Sequence, residues 1–291
     1  MPELPEVQTI VSQLKTKVLQ RAFVGVWSDA KSLVKGQSFE SFAAQIKGRK
    51  ILRVERLGKN ILFYLSGGKI MLLHLKMTGH LLWGKWEKIG NKWVSIGKGP
   101  LRDDWTNQFI HVMFFLDKKG MLALTDIRKF AKLEIFGEKD LLEKKELQIG
   151  PDPLSAKFTY PVFKAALMHK PNGKIKQVLM DQSVLAGIGN IYSDEILWET
   201  RVNPFAMVKN IREDKLKGIY ESTKTVLAKG VRLKGESFSD YRDLYGEKGD
   251  FDSERKAYKR EKQPCFRCHT PLVSKKIGGR TTRFCPKCQK L

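Results

Sequence analysis

The reading of the fold turns on Gly150-Pro151-Asp152-Pro153. Two prolines and a glycine within four residues end any regular element. The apolar pattern also changes across them. Upstream, Val7, Ile10, Val11, Leu14 and Val18 recur at helical spacing, and short β-type runs follow at 22–27, 51–57, 61–65, 69–75, 109–116, 121–125 and 132–136. Turn signals such as Gly58-Lys59-Asn60 and Ser66-Gly67-Gly68 separate several of them. Many short strands with one early helix predict a β-sandwich carrying a helix. Downstream, residues 162–168, 175–180, 191–198 and 211–227 read as helix. Gly, Ser, Asp and Lys then dominate 229–263, which predicts a mobile loop. The fold class is α+β and multidomain: a β-sandwich with helices over 1–150, a helical unit over 151–254 and a small metal module over 255–291. Residues 83–108, with Trp86, Trp93 and Trp105, suit a hairpin inserted on the sandwich.

The metal module is the most specific pattern. Cys265-x2-Cys268, sixteen residues, then Cys285-x2-Cys288 uses all four cysteines of the chain. Each pair can turn two sulfurs onto one ion, and two pairs complete the tetrahedron of a closed, structural zinc site. His269 is then a surface or turn residue, since four thiolates leave no vacancy. Residues 255–291 hold twelve Lys or Arg against one acid, Glu261. The run 275–283 between the pairs reads as a β-hairpin presenting Arg280 and Arg283, suited to phosphate contact.

Composition agrees. Lys and Arg outnumber Asp and Glu by 54 to 31 over 291 residues, a formal charge of +23. Such an excess points to a polyanion, nucleic acid first and an anionic membrane surface second. No apolar run approaches the about 20 residues of a spanning helix, and two early acids without an apolar stretch argue against a secretory signal. The cysteines leave no disulfide scaffold elsewhere, which fits a reducing compartment. We expect a cytoplasmic protein with no membrane association.

The chain opens Met1-Pro2-Glu3-Leu4-Pro5-Glu6-Val7. Removal of Met1 would leave Pro2 with a free secondary amine. An α-amino group titrates near pH 8, and its neutral form can attack an electrophilic carbon to give an iminium. Pro2 and Pro5 could equally do no more than start a helix, with Glu3 and Glu6 at its positive end. A second motif is Gly187-Ile188-Gly189-Asn190-Ile191-Tyr192. Its turn opens a helix at Asn190, where backbone amides suit phosphate and where Asn is also a common N-cap. The residues alone leave both choices open.

Taken together and in this order, the Pro2–Val7 opening, the Gly-x-Gly-Asn turn and the four-cysteine hairpin closely resemble the formamidopyrimidine-DNA glycosylase family, over nearly the whole chain. The resemblance implies a β-sandwich, a helix-two-turn-helix segment and a zinc finger with one structural Zn2+. It implies excision of 8-oxoguanine and ring-opened purines from damaged double-stranded DNA by a monomer in the bacterial nucleoid, then strand cleavage by β,δ-elimination. Position by position, Pro2 matches the nucleophile, Glu3 the acid/base, Glu6 a second acid, and Lys59 a lysine on the lesion's phosphate that assists catalysis. His74 matches a DNA-backbone contact, and Asn190 and Arg280 match the phosphate grip. Met77, Arg128 and Phe130 match the side chains that fill the gap left by an extruded base, which offsets part of the unstacking cost. Without the resemblance, Met77 and Phe130 would be read as core. The chain departs from the family at Ala131, Thr281 and Arg283, in the longer 83–108 insertion, and in 236–252, where the lesion-capping loop belongs. Two competing readings are an endonuclease VIII-like enzyme for oxidised pyrimidines, which would have glycine in place of Leu4, and a zinc-finger DNA-binding protein without chemistry.

Overall fold

A computed structural model describes residues 1–237 and 240–291. The chain forms two units. The first joins Met1–Leu147 to Leu233–Asp250, and the second joins Gln148–Arg232 to Phe251–Leu291.

The first unit begins with helix α1 (Leu4–Val18), which buries Val7, Ile10, Val11, Leu14 and Val18 along one face. Ten strands follow: β1 (Phe23–Ser28), β2 (Ile51–Leu57), β3 (Asn60–Leu65), β4 (Lys69–His74), β5 (Gly79–Gly84), β6 (Trp86–Ile89), β7 (Lys92–Ser95), β8 (Ile110–Leu116), β9 (Gly120–Asp126) and β10 (Lys132–Gly137). Two four-stranded antiparallel sheets result, in the orders β1-β8-β9-β5 and β10-β4-β3-β2. Phe23, Leu81, Phe114 and Leu124 of one sheet meet Val54, Phe63, Met71 and Leu133 of the other in a core shared with Ile10 and Leu14 of α1. Each such side chain contributes about 1.5–3 kcal/mol through burial. The other faces are covered too, by a cluster of Leu62, Tyr64, Ile70, Leu72 and Phe136 on one sheet and of Leu82, Trp86, Met113 and Ala123 on the other. Burial on both faces explains why 61–65 is an unbroken apolar run rather than an alternating one.

The 83–108 insertion is a hairpin, as expected, formed by β6 and β7. A short helix, α3 (Pro100–Asp103), and a 3-10 turn (Trp105–Gln108) follow it. Trp93 packs edge-on to Trp27 at 5.5 Å. Two elements go beyond the sequence reading. Helix α2 (Phe39–Ile46) is capped by Ser38, whose hydroxyl accepts from Ser41 N. Strand β5 is bounded by glycines and holds the fully buried His80. The mobile loop expected from residue 229 onward also needs correction. The helix before it runs to Arg232, and among the described residues of the stretch Tyr241 and Leu244 are buried in the sandwich core.

In the second unit, α4 (Tyr160–Met168), α5 (Ile175–Met180), α6 (Asn190–Glu199) and α7 (Glu213–Arg232) follow the boundary motif, and β11 (Val273–Ile277) pairs with β12 (Arg280–Phe284). The boundary motif docks on the turn before α6: Gly150 N donates to Gln182 O, and Ala186 N to Pro151 O. A Cβ at Gly150 would lie 2.2 Å from Val184 O, so only glycine permits the approach. No helix among the described residues is long and apolar enough to cross a membrane.

Candidate active site

Pro2 is buried, and so are Glu3 and Glu6, at 2% and 1% exposure. Buried carboxylates are costly unless they are bonded. One oxygen of Glu6 accepts from Glu3 N at 2.7 Å, closing the first turn of α1. The other accepts from Glu236 N at 2.8 Å, so a residue 230 positions away holds the same carboxylate. Gly235 makes this approach feasible: its φ is +85°, and a Cβ there would sit 2.6 Å from the Glu6 side chain. Lys59 is buried in the turn between β2 and β3. The end of β2 docks on α1 through Arg56 Nε donating to Gln8 Oε1 at 2.9 Å. His74 lies opposite Asn60 in the β3–β4 ladder, next to Lys59. Burial, then the charges of Lys76, Lys59 and Lys132, hold it at about 4, so its imidazole is neutral at pH 7. Its Nδ1 accepts from Lys76 N at 2.9 Å.

Met77, Arg128 and Phe130 come together on the first unit. Met77 is 40% and Phe130 50% exposed, so neither is a core residue. Arg128 stacks 4.4 Å from the Phe130 ring centroid and donates to Met77 Sδ at 3.2 Å. Asp126, fully buried, organises both loops that bear them. Its oxygens accept from Arg128 N, Phe130 N and Ala131 N and from the Thr78 hydroxyl. Sequence reasoning missed Asp126 because a carboxylate that holds backbone amides leaves no local pattern.

Asn190 and Arg280 belong to the second unit. The N-cap of α6 is Gly189, and Asn190 Oδ1 has no hydrogen-bond partner among the described residues. The capping alternative for Asn190 therefore does not hold here, and its side chain stands at a helix start whose amides suit an anion. Arg280 is exposed beside the two-residue turn Gly278-Gly279, where both φ angles are positive, 54° and 72°. Arg283 is not presented with it. Its guanidinium pairs with Glu261 at 3.2 Å. The strand that bears Arg280 is fixed to α6 by Asp194, which accepts from Thr282 Oγ1 at 2.7 Å and Arg283 N at 3.1 Å. Asp194 is itself paired with fully buried Lys176 of α5.

The Sγ atoms of Cys265, Cys268, Cys285 and Cys288 all lie within 4.8 Å of one another. A tetrahedral zinc–thiolate site places sulfurs about 3.8 Å apart, so the cage fits one structural zinc ion. His269 N donates to Cys265 O and Gln289 N to Cys285 O, so both turns wrap the cage alike. His269 adopts φ 61° in its turn and is not needed as a ligand.

Family models match along the chain: the formamidopyrimidine-DNA glycosylase N-terminal domain over 1–133, its H2TH domain over 149–242, and the zinc finger found in FPG and IleRS over 262–291. Formamidopyrimidine-DNA glycosylase of Heliobacterium modesticaldum is 34% identical with both chains covered in full, and that of Herpetosiphon aurantiacus is 34% identical over 99% of this chain and 100% of its own. The fold matches that of a Lactococcus lactis FPG mutant in complex with Fapy-dG-containing DNA, with TM-score 0.86 and 26% identity over the whole of both chains. Matched by three family models in order and by full-length relatives at a third identity, the chain belongs to the formamidopyrimidine-DNA glycosylase family.

Proposed function

We propose that this protein excises oxidised purines, 8-oxoguanine and formamidopyrimidines, from duplex DNA and then cleaves the strand at the abasic site. The observation that carries the reading is Pro2 buried beside two buried carboxylates, one of them bonded to the backbone of the residue that follows it. With Met1 removed, the Pro2 nitrogen attacks C1′ of the damaged nucleotide. The bond from C1′ to the base breaks and the base leaves with a proton, while the amine gives up its own. The ring oxygen then leaves C1′ and takes a proton from Glu3, which leaves an iminium on Pro2. Loss of a C2′ proton expels the 3′ phosphate, and loss of the C4′ proton expels the 5′ phosphate. Lys59 and His74 hold the backbone at the lesion; with Nδ1 taken by Lys76 N, neutral His74 carries its proton on Nε2 and donates one hydrogen bond without adding charge. Met77, Arg128 and Phe130 fill the vacated stack, with the guanidinium facing the orphaned base. Asn190 and Arg280 grip phosphates, and zinc supplies no chemistry beyond holding the hairpin. Relatives that bear the family name, and a solved relative bound to Fapy-dG DNA, support this assignment of substrate. The protein acts as a monomer in the bacterial cytoplasm, at the nucleoid. The division of labour follows residues 1–150 for chemistry, 151–254 for DNA grip and lesion capping, and 255–291 for the zinc finger. Two residues of the capping stretch, 238 and 239, lie outside the described residues.

The test is borohydride trapping on duplexes carrying 8-oxoguanine or thymine glycol, with an intact mass to show whether Met1 is gone. We expect a covalent adduct with the 8-oxoguanine duplex, lost in Pro2→Gly. Faster turnover of thymine glycol would place the protein with the pyrimidine enzymes. Absence of any adduct from protein lacking Met1 would leave only DNA binding.

A further inference from the structure

The longer 83–108 insertion has no part in the chemistry just described, yet its last turn is bonded to the loop that reaches Glu6. Asp104 starts that turn and accepts from Thr106 N at 3.0 Å. Its other oxygen pairs with Arg242 Nε at 2.6 Å, in a contact where the arginine side chain is 4% and the aspartate 16% exposed. Asn107, fully buried, donates to Gly246 O at 3.1 Å and to Pro100 O at 2.7 Å. Trp83 N donates to Leu244 O at 2.7 Å. Residues 242–246 are thus held by the insertion and the end of β5 on one side. On the other, Gln13 of α1 donates to Asp243 and accepts from Leu244 N. The same loop supplies Glu236 N to Glu6, and Tyr241 Oη donates to Glu6 O at 3.4 Å.

We propose that Asp104 and Arg242 are positioning residues: their pair latches residues 242–246 between the insertion and α1, and so fixes Glu6 and the Pro2–Glu3 end of the chain for base excision. The latch acts through the loop and Glu6, and neither Asp104 nor Arg242 is assigned a step of the reaction. A small displacement of positioned groups costs orders of magnitude in rate, so loosening the loop lowers kcat without weakening the grip on DNA. The catalytic part of this inference rests on the proposed function; the latch itself does not.

The experiment compares Asp104→Asn, Arg242→Met and the double variant in the full-length zinc-loaded protein. Single-turnover excision and KM are measured on an 8-oxoguanine duplex, and amide hydrogen exchange is followed at Glu236 and Leu244. We expect about a tenfold loss of excision rate in each single variant with KM within about twofold. The double variant should be no slower than Arg242→Met alone, which removes the pair and also the bond from Arg242 Nη1 to Tyr241 O at 2.7 Å. Exchange at Glu236 should quicken by about tenfold in all three. Asp104→Glu, which keeps the charge, should retain more rate than Asp104→Asn, and it serves as the second variant if Asp104→Asn misfolds. Wild-type rate and exchange in the variants, additive losses, or losses confined to KM would each overturn the latch. If the wild type itself excises nothing, the proposed function fails, and the exchange data still decide whether the latch exists.

Discussion

Glu6 shows how much one residue can carry. Each of its oxygens accepts from a backbone amide, one at the start of α1 and one at Glu236. The second bond depends on Gly235, whose φ of +85° suits glycine and whose missing Cβ leaves room for the Glu6 side chain. Gly235→Ala should therefore destabilise the first unit by about 1–3 kcal/mol, through left-handed strain and the forced shift of Glu6. A urea titration would measure this, and an unchanged midpoint would show that the loop yields at no cost. Glu3→Gln tests the neighbouring role. It should abolish base excision while DNA affinity stays within about twofold, because the amide keeps the shape and loses only the exchangeable proton. Full excision by that variant would remove Glu3 from the mechanism. Pro2, Glu3, Lys59, Met77, Arg128 and Phe130 could be singled out in the sequence because they stand in the short motifs that carry the family resemblance. Asp104, Asp126 and Glu236 could not, because their partners lie 138, 48 and 230 residues away or on bare backbone.

At the scale of elements, β5 was hidden by its own composition. It begins and ends on glycine and places a histidine where a strand reading wants an apolar residue. The structure compensates with bonds: His80 Nε2 meets Asn107 Oδ1 at 2.9 Å and Thr125 Oγ1 at 2.8 Å. Burial holds His80 at about 4, well below 6.5. Between those values the unfolded chain binds a proton that the folded one refuses, so stability is complete above pH 6.5 and falls as the pH drops toward 4. The loss from His80 is about 3 kcal/mol, and His74 adds to it in the same direction. Melting temperatures across that window should fall steeply in the wild type and more gently in His80→Gln. Parallel curves would mean that other groups govern the acid limb. The strands with two buried faces were read correctly from their apolar runs, whereas 233–250 was not. Its two anchors, Tyr241 and Leu244, stand alone in a polar stretch and form no period.

At the scale of the molecule, the charge of +23 and the zinc hairpin act together on a polyanion. If about six phosphates are neutralised, affinity for DNA should fall about a thousandfold between 50 and 200 mM salt. A shallow slope in filter binding would contradict a phosphate-dominated grip. Removing zinc with a chelator should release β11 and β12 and weaken DNA binding, while the thermal transition of the sandwich stays within about 2 °C of the holoprotein, since the cysteines lie in the second unit. Collapse of both transitions together would refute that independence. The division of the first unit into two separated stretches, 1–147 and 233–250, bears on how the protein is made. A ribosome adding 5–20 residues per second delivers Glu236 on the order of ten to fifty seconds after Glu6. During that interval the nascent chain has a sandwich with an unfilled seat for Tyr241 and Leu244, and an N-terminus not yet held from behind. Trimming of Met1, on which the proposed role of Pro2 rests, can therefore precede the arrival of the stretch that bonds Glu6 from behind.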